Sequence, residues 1–107
     1  MDAQVSHKRG QVRISGEMTV YTAAELAPKL FAALAKHKAS SLDLSGVAEF
    51  DTAGLQMLLA ARRASAGQGR PLVLADPSHV VLNALDLCRV PLVPETSQPP
   101  AAAKAAP

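Results

Sequence analysis

The sequence predicts a single small α/β domain in which strands and helices alternate. Between residues 41 and 93, apolar runs of strand length are separated by stretches in which apolar residues recur at helical spacing. A strand–helix–strand order of this kind is typical of parallel strands in one sheet. The composition agrees, because 49% of the 107 residues are hydrophobic and only 3% are aromatic. Leu, Val and Ala must therefore fill a core between closely packed layers.

Residues 4–20 have the pattern of two strands that meet around Gly10. Val12 and Ile14 alternate with polar side chains, as expected of a strand with one buried face. A helix follows and runs to about Lys36, because apolar side chains recur at helical spacing. Those side chains are Leu26, Leu30, Phe31 and Leu34.

Two features concern the start of this first helix. Thr22 and Glu25 have the spacing of a capping box, in which each side chain accepts a hydrogen bond from the other residue's backbone N–H. Pro28 lacks an N–H and can cost about 3 kcal/mol inside a helix, less near its N-terminus. We therefore expect a kink or a break at Pro28.

The second half of the chain contains two further strands and two further helices by the same criteria. They are a short buried strand at 41–44, a helix at 52–66, a strand at 72–74 and a helix after Asp76-Pro77. The glycine-rich stretch 67–69 ends the first of these helices. In the second of these helices, Asp76 is the expected N-cap residue and Pro77 occupies the first helical position. Residues 90–93 could add an edge strand, kept short by Pro91.

The domain is expected to span residues 1–93, followed by a tail at 94–107. The tail is rich in Pro and Ala and has no apolar periodicity, so we expect it to be disordered. No apolar run approaches the roughly 18 residues that cross a bilayer. The N-terminus also lacks the basic-then-apolar order of a signal peptide. We therefore expect a soluble, cytoplasmic protein without direct membrane insertion.

Several function classes find no support in the sequence. The net charge of +2 is small, the basic residues are dispersed, and few aromatic rings are present to stack on bases, so we expect no nucleic-acid partner. His7, His37 and His79 lie on separate elements without metal-ligand spacing, and no glycine-rich phosphate loop opens a helix. Cys88 lies in an apolar stretch and is expected to be a small core residue. We predict neither catalysis nor a cofactor.

The most informative segment is Asp51-Thr52-Ala53-Gly54, where a strand leads into a leucine-rich helix. A helix start leaves backbone N–H groups unpaired and favours negative charge. Asp51 can therefore cap the helix, and the Thr52 hydroxyl can either cap it or carry a phosphate. Gly54 keeps side-chain bulk away, so that another surface could approach closely. Asp43 and Asp51 could also be functional carboxylates, although capping roles explain both better.

Two longer runs around this segment carry a family resemblance. They are Leu42-Asp43-Leu44-Ser45-Gly46-Val47 and Phe50-Asp51-Thr52-Ala53-Gly54-Leu55, the second of which opens the leucine-rich helix. In this order they resemble the STAS domain family, which includes bacterial anti-sigma factor antagonists, STAS subunits of ABC transporters and the cytoplasmic ends of sulfate transporters. The resemblance covers nearly all of residues 5–93. It implies a small α/β domain with a mixed, mostly parallel sheet flanked by helices.

The resemblance also implies how such a domain works, and here the chain departs from the family pattern. Antagonists of the family are typically phosphorylated by a partner serine kinase, on a Ser just before the Gly of the motif. Dephosphorylation lets them bind that kinase and release a sigma factor. In this chain Ala53 occupies the position of that Ser and cannot accept a phosphate. Thr52 is the only residue of the motif that carries a hydroxyl.

The form Asp-Thr-Ala-Gly-Leu resembles two other branches of the family. One is the STAS subunit of the phospholipid-trafficking ABC transporter, in which the domain docks on the ATPase and the Thr is part of the contact. The other is a set of stand-alone STAS proteins near chemotaxis and hybrid-kinase clusters. The run Tyr21-Thr22-Ala23-Ala24-Glu25-Leu26 looks more like this second branch. Nucleotide binding, sometimes proposed for STAS domains, lacks a phosphate cradle here.

We therefore expect a non-enzymatic regulatory docking module. The loop at 45–54 and the outer face of helix 52–66 would bind a signalling kinase or an anti-sigma-type regulator. In the alternative, the same surface would bind an ABC ATPase. Asp51 would cap the helix and orient the loop, while Thr52 would contact the partner and could be phosphorylated. The other expected contact residues are Ser45, Ala53, Gly54, Gln56 and Met57.

Overall fold

The chain folds into a four-stranded sheet and three helices. The structure is a computed structural model that describes residues 2–93, so the predicted tail at 94–107 lies outside the described residues. The strands are β1 (Ala3–Lys8), β2 (Gln11–Met18), β3 (Ser41–Phe50) and β4 (Val73–Ala75). The helices are α1 (Ala23–Lys36), α2 (Thr52–Gly67) and α3 (His79–Leu87).

The sheet has the order β1-β2-β3-β4 and is mixed. β1 is antiparallel to β2, and the two are joined at Arg9 and Gly10, whose φ angles are 50° and 79°. Two consecutive residues with positive φ match the twist of a tight hairpin. β2 pairs in parallel with β3, and β3 with β4, so that α1 and α2 are the crossover helices. The predicted α/β class and mostly parallel sheet are confirmed.

The core lies between the sheet and the helices and is built almost entirely from aliphatic side chains. Strand residues Val12, Ile14, Leu42 and Leu44 are fully buried. The helices contribute further apolar residues at the predicted spacing, so that the low aromatic content is no obstacle to a close-packed interior. These helical residues are Leu26, Leu30, Leu34, Leu58, Ala61, Val81 and Leu85.

Strand β3 is much longer than the predicted 41–44. It continues to Phe50 because β2 offers a partner along its whole length, ending with Met18 opposite Phe50. An irregularity in the pairing between Arg13 and Ser15 absorbs one extra residue of β3. At that point the Asp43 carboxylate accepts a hydrogen bond from the Ser45 N–H at 2.9 Å. The predicted loop at 45–54 is therefore wrong, because residues 45–50 are strand.

The start of α1 also differs from the prediction. Thr22 is the N-cap residue, but its side chain does not cap the helix, so the predicted capping box with Glu25 is wrong. The hydroxyl instead donates to the Glu17 carbonyl at 2.8 Å and accepts from the Thr19 N–H at 3.1 Å. Of the kink or break expected at Pro28, the break is wrong, because α1 runs through it. Pro28 and Ala24, whose carbonyl loses its partner, are both exposed, so water can satisfy that carbonyl.

The last described segment corrects three further expectations. α3 begins after Ser78 rather than Asp76, because Asp76 adopts a φ of 46° and directs the chain into a turn. Cys88 is exposed, since it caps the C-terminus of α3 away from the buried side of that helix. Residues 90–93 form no strand; a single bond from the Leu74 N–H to the Leu92 carbonyl joins them to β4.

Candidate functional site

The start of α2 is held in place by one side chain, Asp51. Its Oδ1 atom accepts hydrogen bonds from the N–H groups of Ala53 at 2.9 Å and Gly54 at 3.4 Å. Its Oδ2 atom accepts a third bond from the Val20 N–H at 3.1 Å. The Asp51 N–H in turn donates to the Met18 carbonyl at 3.3 Å. Asp51 therefore caps α2, as predicted, and also ties the β2–α1 connection to it.

Gly54 explains why α2 can lie so close to the sheet. A Cβ at this position would overlap the Met18 carbonyl oxygen and come within 2.8 Å of the Phe50 ring. Gly54 itself is buried in the third position of the helix. The close approach that the sequence suggested is therefore made by the protein's own strands, and the expectation that an external surface meets Gly54 is wrong.

Thr52 lies on the opposite, solvent-facing side of the same helix turn. Its side chain is exposed, and within residues 2–93 its hydroxyl makes no hydrogen bond. Helix capping is already supplied by Asp51, so the hydroxyl is not needed there. Because the N-terminus of a helix favours negative charge, an oxygen-rich partner group or a phosphate can be accommodated at this position.

Exposed apolar side chains that the sequence analysis did not select lie near the start of α2. Tyr21 and Val20, in the connection that Asp51 holds, are 89% and 63% exposed, and Leu87 at the end of α3 is 84% exposed. We call Val20, Tyr21, Asp51, Thr52, Gln56 and Leu87 the α2-start surface. A surface that exposes large apolar side chains together with polar ones is typical of protein contacts. Their only sequence signal is that they fall outside the periodic core positions.

Two shallow grooves lie beside the first turns of α2, and Thr52 lines the smaller one. The smaller, of about 220 Å³, lies between the first turn of α2 and the end of α3, where Thr52 and Leu55 face Leu87 and Cys88. The larger, of about 580 Å³, separates α1 from α2; four of its nine lining residues are alanines, and Gln56 lies on one wall. Ala53 is half-buried in this larger groove. Both are open surfaces that a partner's side chains can enter.

Two predicted contact residues are placed elsewhere by the structure. Met57 is only 6% exposed and belongs to the core, so its expected position on the outer side of α2 is wrong. Ser45 is exposed, but it lies five residues before the end of β3, roughly 17 Å along the strand. Asp51, Thr52, Ala53 and Gln56 do come together at one end of the domain.

Other ionisable groups lie outside this surface. Arg62 donates a hydrogen bond from Nη2 to the Leu92 carbonyl at 2.7 Å, and burial lowers the pKa of its guanidinium. Desolvation lowers the pKa of His37, with smaller contributions from His7 and Lys36. The described part of the chain contains no group of three or more His, Cys, Asp or Glu side chains that could hold a metal ion. Nor does it contain a helix long and apolar enough to cross a membrane.

Comparison with known proteins identifies the family that has this architecture. A family model described as "Mlab, STAS domain" matches residues 1–91. The chain belongs to the STAS domain family. Comparison with curated protein sequences found no match.

Solved structures of the anti-sigma factor antagonist SpoIIAA have the same fold as this STAS domain. The unphosphorylated form matches with a TM-score of 0.60 and 16% identity, over 94% of each chain. The phosphorylated form of SpoIIAA, described as a Bacillus cell fate determinant, matches with a TM-score of 0.62 and 16% identity. That match covers 94% of this chain and 96% of the other. At this identity the likeness concerns the fold.

Proposed function

We propose that this STAS domain is a regulatory docking module that binds a partner protein through the α2-start surface. The observation that carries the proposal is the division of roles at one helix turn. Asp51 and Gly54 fix the turn from beneath, whereas the Thr52 hydroxyl faces solvent without a partner among residues 2–93. A rigid, exposed polar group on a surface that also exposes apolar side chains is suited to recognition, because little conformational freedom is lost on binding.

The partner we favour is a signalling kinase or an anti-sigma-type regulator. Support comes from the fold likeness to SpoIIAA, which is named as an anti-sigma factor antagonist and has a phosphorylated form. Phosphorylation of Thr52 would add about −1.5 to −2 charge beside the Asp51 carboxylate. The helix N-terminus tolerates that charge, but the added bulk and hydration would oppose an apolar contact through Tyr21 and Leu87. Docking would therefore require the unmodified hydroxyl.

A second candidate is the STAS subunit of a phospholipid-trafficking ABC transporter, docked on its ATPase. Two observations favour it. The residue before Gly54 is Ala53, which cannot be phosphorylated, and the family model that matches is described as "Mlab, STAS domain". In this case the same α2-start surface would hold the ATPase through a permanent Thr52 contact, and no phosphate would be found.

The test is quantitative co-purification from the native cells, with mass spectrometry of the recovered proteins. We expect the tagged wild-type domain to recover one main partner, Thr52→Ala to recover less of it and Thr52→Glu almost none. Ala66→Glu places the same charge at an exposed position near the end of α2 and serves as the control. Equal recovery with all four proteins would refute the proposed surface.

The identity of the recovered partner decides between the two candidates. A kinase or anti-sigma-type protein, together with phosphate on Thr52 in some growth conditions, would support the signalling function. An ABC ATPase with an unmodified Thr52 would support the transporter function instead.

A further inference from the structure

The two edges of the sheet differ in how their backbone groups are used. At β4, the Leu74 N–H donates to the Leu92 carbonyl at 2.8 Å, and Arg62 holds the same carbonyl in place. At the other edge, β1 has β2 as its neighbour on one side only. Among residues 2–93 no strand pairs with the outer side of β1. Alternate residues of β1 therefore present N–H and C=O groups that a further strand could bind.

The two faces of β1 have different character. Ala3 and Val5 are half-buried and pack against the core, and the His7 ring stacks on His37 with centroids 3.5 Å apart. The opposite face carries exposed polar side chains, continuing the solvent side of the sheet on which Arg13 lies. These exposed residues are Gln4, Ser6 and Lys8, and the exposed Asp2 immediately precedes the strand.

The sequence of this edge is complementary to itself. If a second β1 is placed antiparallel with Val5 opposite Val5, then Asp2 faces Lys8, Gln4 faces Ser6 and Ala3 faces His7. Opposite charges and apolar pairs directly across from each other stabilise antiparallel strands. A shift by two residues in either direction removes both the Val5 pair and the two Asp2–Lys8 pairs. One register is therefore preferred.

We propose that this chain forms a symmetric dimer in which the β1 strands of two copies pair antiparallel, with Val5 on the twofold axis. The sheets of the two copies then become continuous, and the same patch is used by both, as a twofold interface requires. The dimer uses none of the residues of the α2-start surface, so it stands apart from the proposed docking function.

The dimer is expected to be weak. β1 has six residues, and pairing two such strands buries less than the roughly 1,200 Å² typical of stable interfaces. Lys29 and Lys36 also line the groove between β1 and α1 in each copy and oppose close association. We expect a dissociation constant between about 10 µM and 1 mM.

Sedimentation equilibrium of the full chain, up to about 1 mM protein, tests the proposal. We expect concentration-dependent dimers for the wild type. Asp2→Lys alone or Lys8→Asp alone places like charges opposite each other and should weaken the dimer about tenfold. The double variant D2K/K8D exchanges the two charges and should restore association to within about threefold of the wild type.

The control is Arg89→Asp, which makes the same charge change as Lys8→Asp at an exposed residue after α3 and should leave dimerisation unchanged. Circular dichroism checks that every variant is folded. A chain that is monomeric at the highest concentration overturns the proposal, and the edge would then be free for another protein. Equal dimerisation of all variants, or failure of the double variant to recover, overturns the proposed strand pairing.

Discussion

Two helix starts in this domain carry a threonine, and they use it in opposite ways. At α1, the Thr22 hydroxyl is half-buried and bonds to the Glu17 carbonyl and the Thr19 N–H, within the preceding connection. At α2, the Thr52 hydroxyl is exposed, and among residues 2–93 it bonds to nothing, because Asp51 supplies the cap. The comparison separates a hydroxyl that builds the fold from one that remains available to a partner.

Position in the turn produces this difference. Thr22 precedes α1 as its N-cap residue, with φ −110° and ψ −8°, and its side chain turns back toward β2. Thr52 is already the first residue of α2, after an extended Asp51 whose carboxylate spans the N–H groups ahead of it. A shift of one residue relative to the cap thus exposes the hydroxyl. The variants that follow test this contrast in order of decreasing expected effect on stability.

Gly54→Ala should have the largest effect. In a helix this change is normally stabilising by about 1 kcal/mol. Here the added Cβ meets the Met18 carbonyl and the Phe50 ring, so we expect a loss of about 1–3 kcal/mol from overpacking. The free energy of unfolding, measured by urea titration, shows whether the variant is more or less stable than the wild type.

Gly67→Ala is the matched control for Gly54→Ala, because a Cβ at Gly67 would have no neighbour within 4 Å. We expect this variant to be neutral or slightly stabilising. If Gly54→Ala were also stabilising, α2 would not be pressed against the strands at its start.

Asp51→Ala should cost about 1–2 kcal/mol, because one carboxylate serves the N–H groups of Ala53, Gly54 and Val20. Asp51→Asn keeps one oxygen acceptor and should lose less. The same urea titrations measure both variants. A cost for Asp51→Ala below about 0.3 kcal/mol would mean that α2 does not depend on this cap.

Thr22→Ala should cost about 1 kcal/mol through its bond to the Glu17 carbonyl. Glu25→Ala should change stability by less than about 0.5 kcal/mol, because Glu25 is exposed and α1 has no capping box. Thermal unfolding of the two variants and of the double variant tests this. If the two single variants lost equal stability, and the double variant lost much less than their sum, Thr22 and Glu25 would form a capping box after all.

Thr52→Ala should have the smallest effect on stability, within about 0.5 kcal/mol of the wild type. Its hydroxyl makes no bond within the described residues, and alanine is a good residue for a helix start. The expected loss appears in partner recovery instead. A destabilisation as large as that of Asp51→Ala would assign Thr52 a structural role and contradict the contrast with Thr22.

The order of elements and the core were predictable because they depend on periodicity alone. The alternation in β2 and the buried leucines of α1 are both found as expected. Features that depend on a distant partner were not predictable. β3 extends to Phe50 because β2 reaches Met18, Gly54 is required by Phe50 and Met18, and Cys88 is exposed because α3 ends where it does.

Only the local part of the candidate site was predictable from the sequence. Asp51 acts locally on the two N–H groups that follow it, so the motif sufficed to predict the cap. The α2-start surface also includes Val20, Tyr21 and Leu87. These residues come to it only because the fold brings the β2–α1 connection, the start of α2 and the end of α3 to one end of the domain. Met57 was misplaced because the buried side of α2 is centred on Gly54, Ala61 and Ser65, so that Leu55 and Leu59 lie at its border.

One measurement tests the central claim that the start of α2, rather than its far end, meets a partner. A photo-reactive phenylalanine analogue replaces Gln56 in one variant and Ala66 in another; both residues are exposed and lie roughly 15 Å apart along α2. Thr52 stays intact in both. After irradiation of native cells, we predict a cross-linked partner from position 56 and little or none from position 66. Cross-linking confined to position 66, or equal at both, would contradict the account.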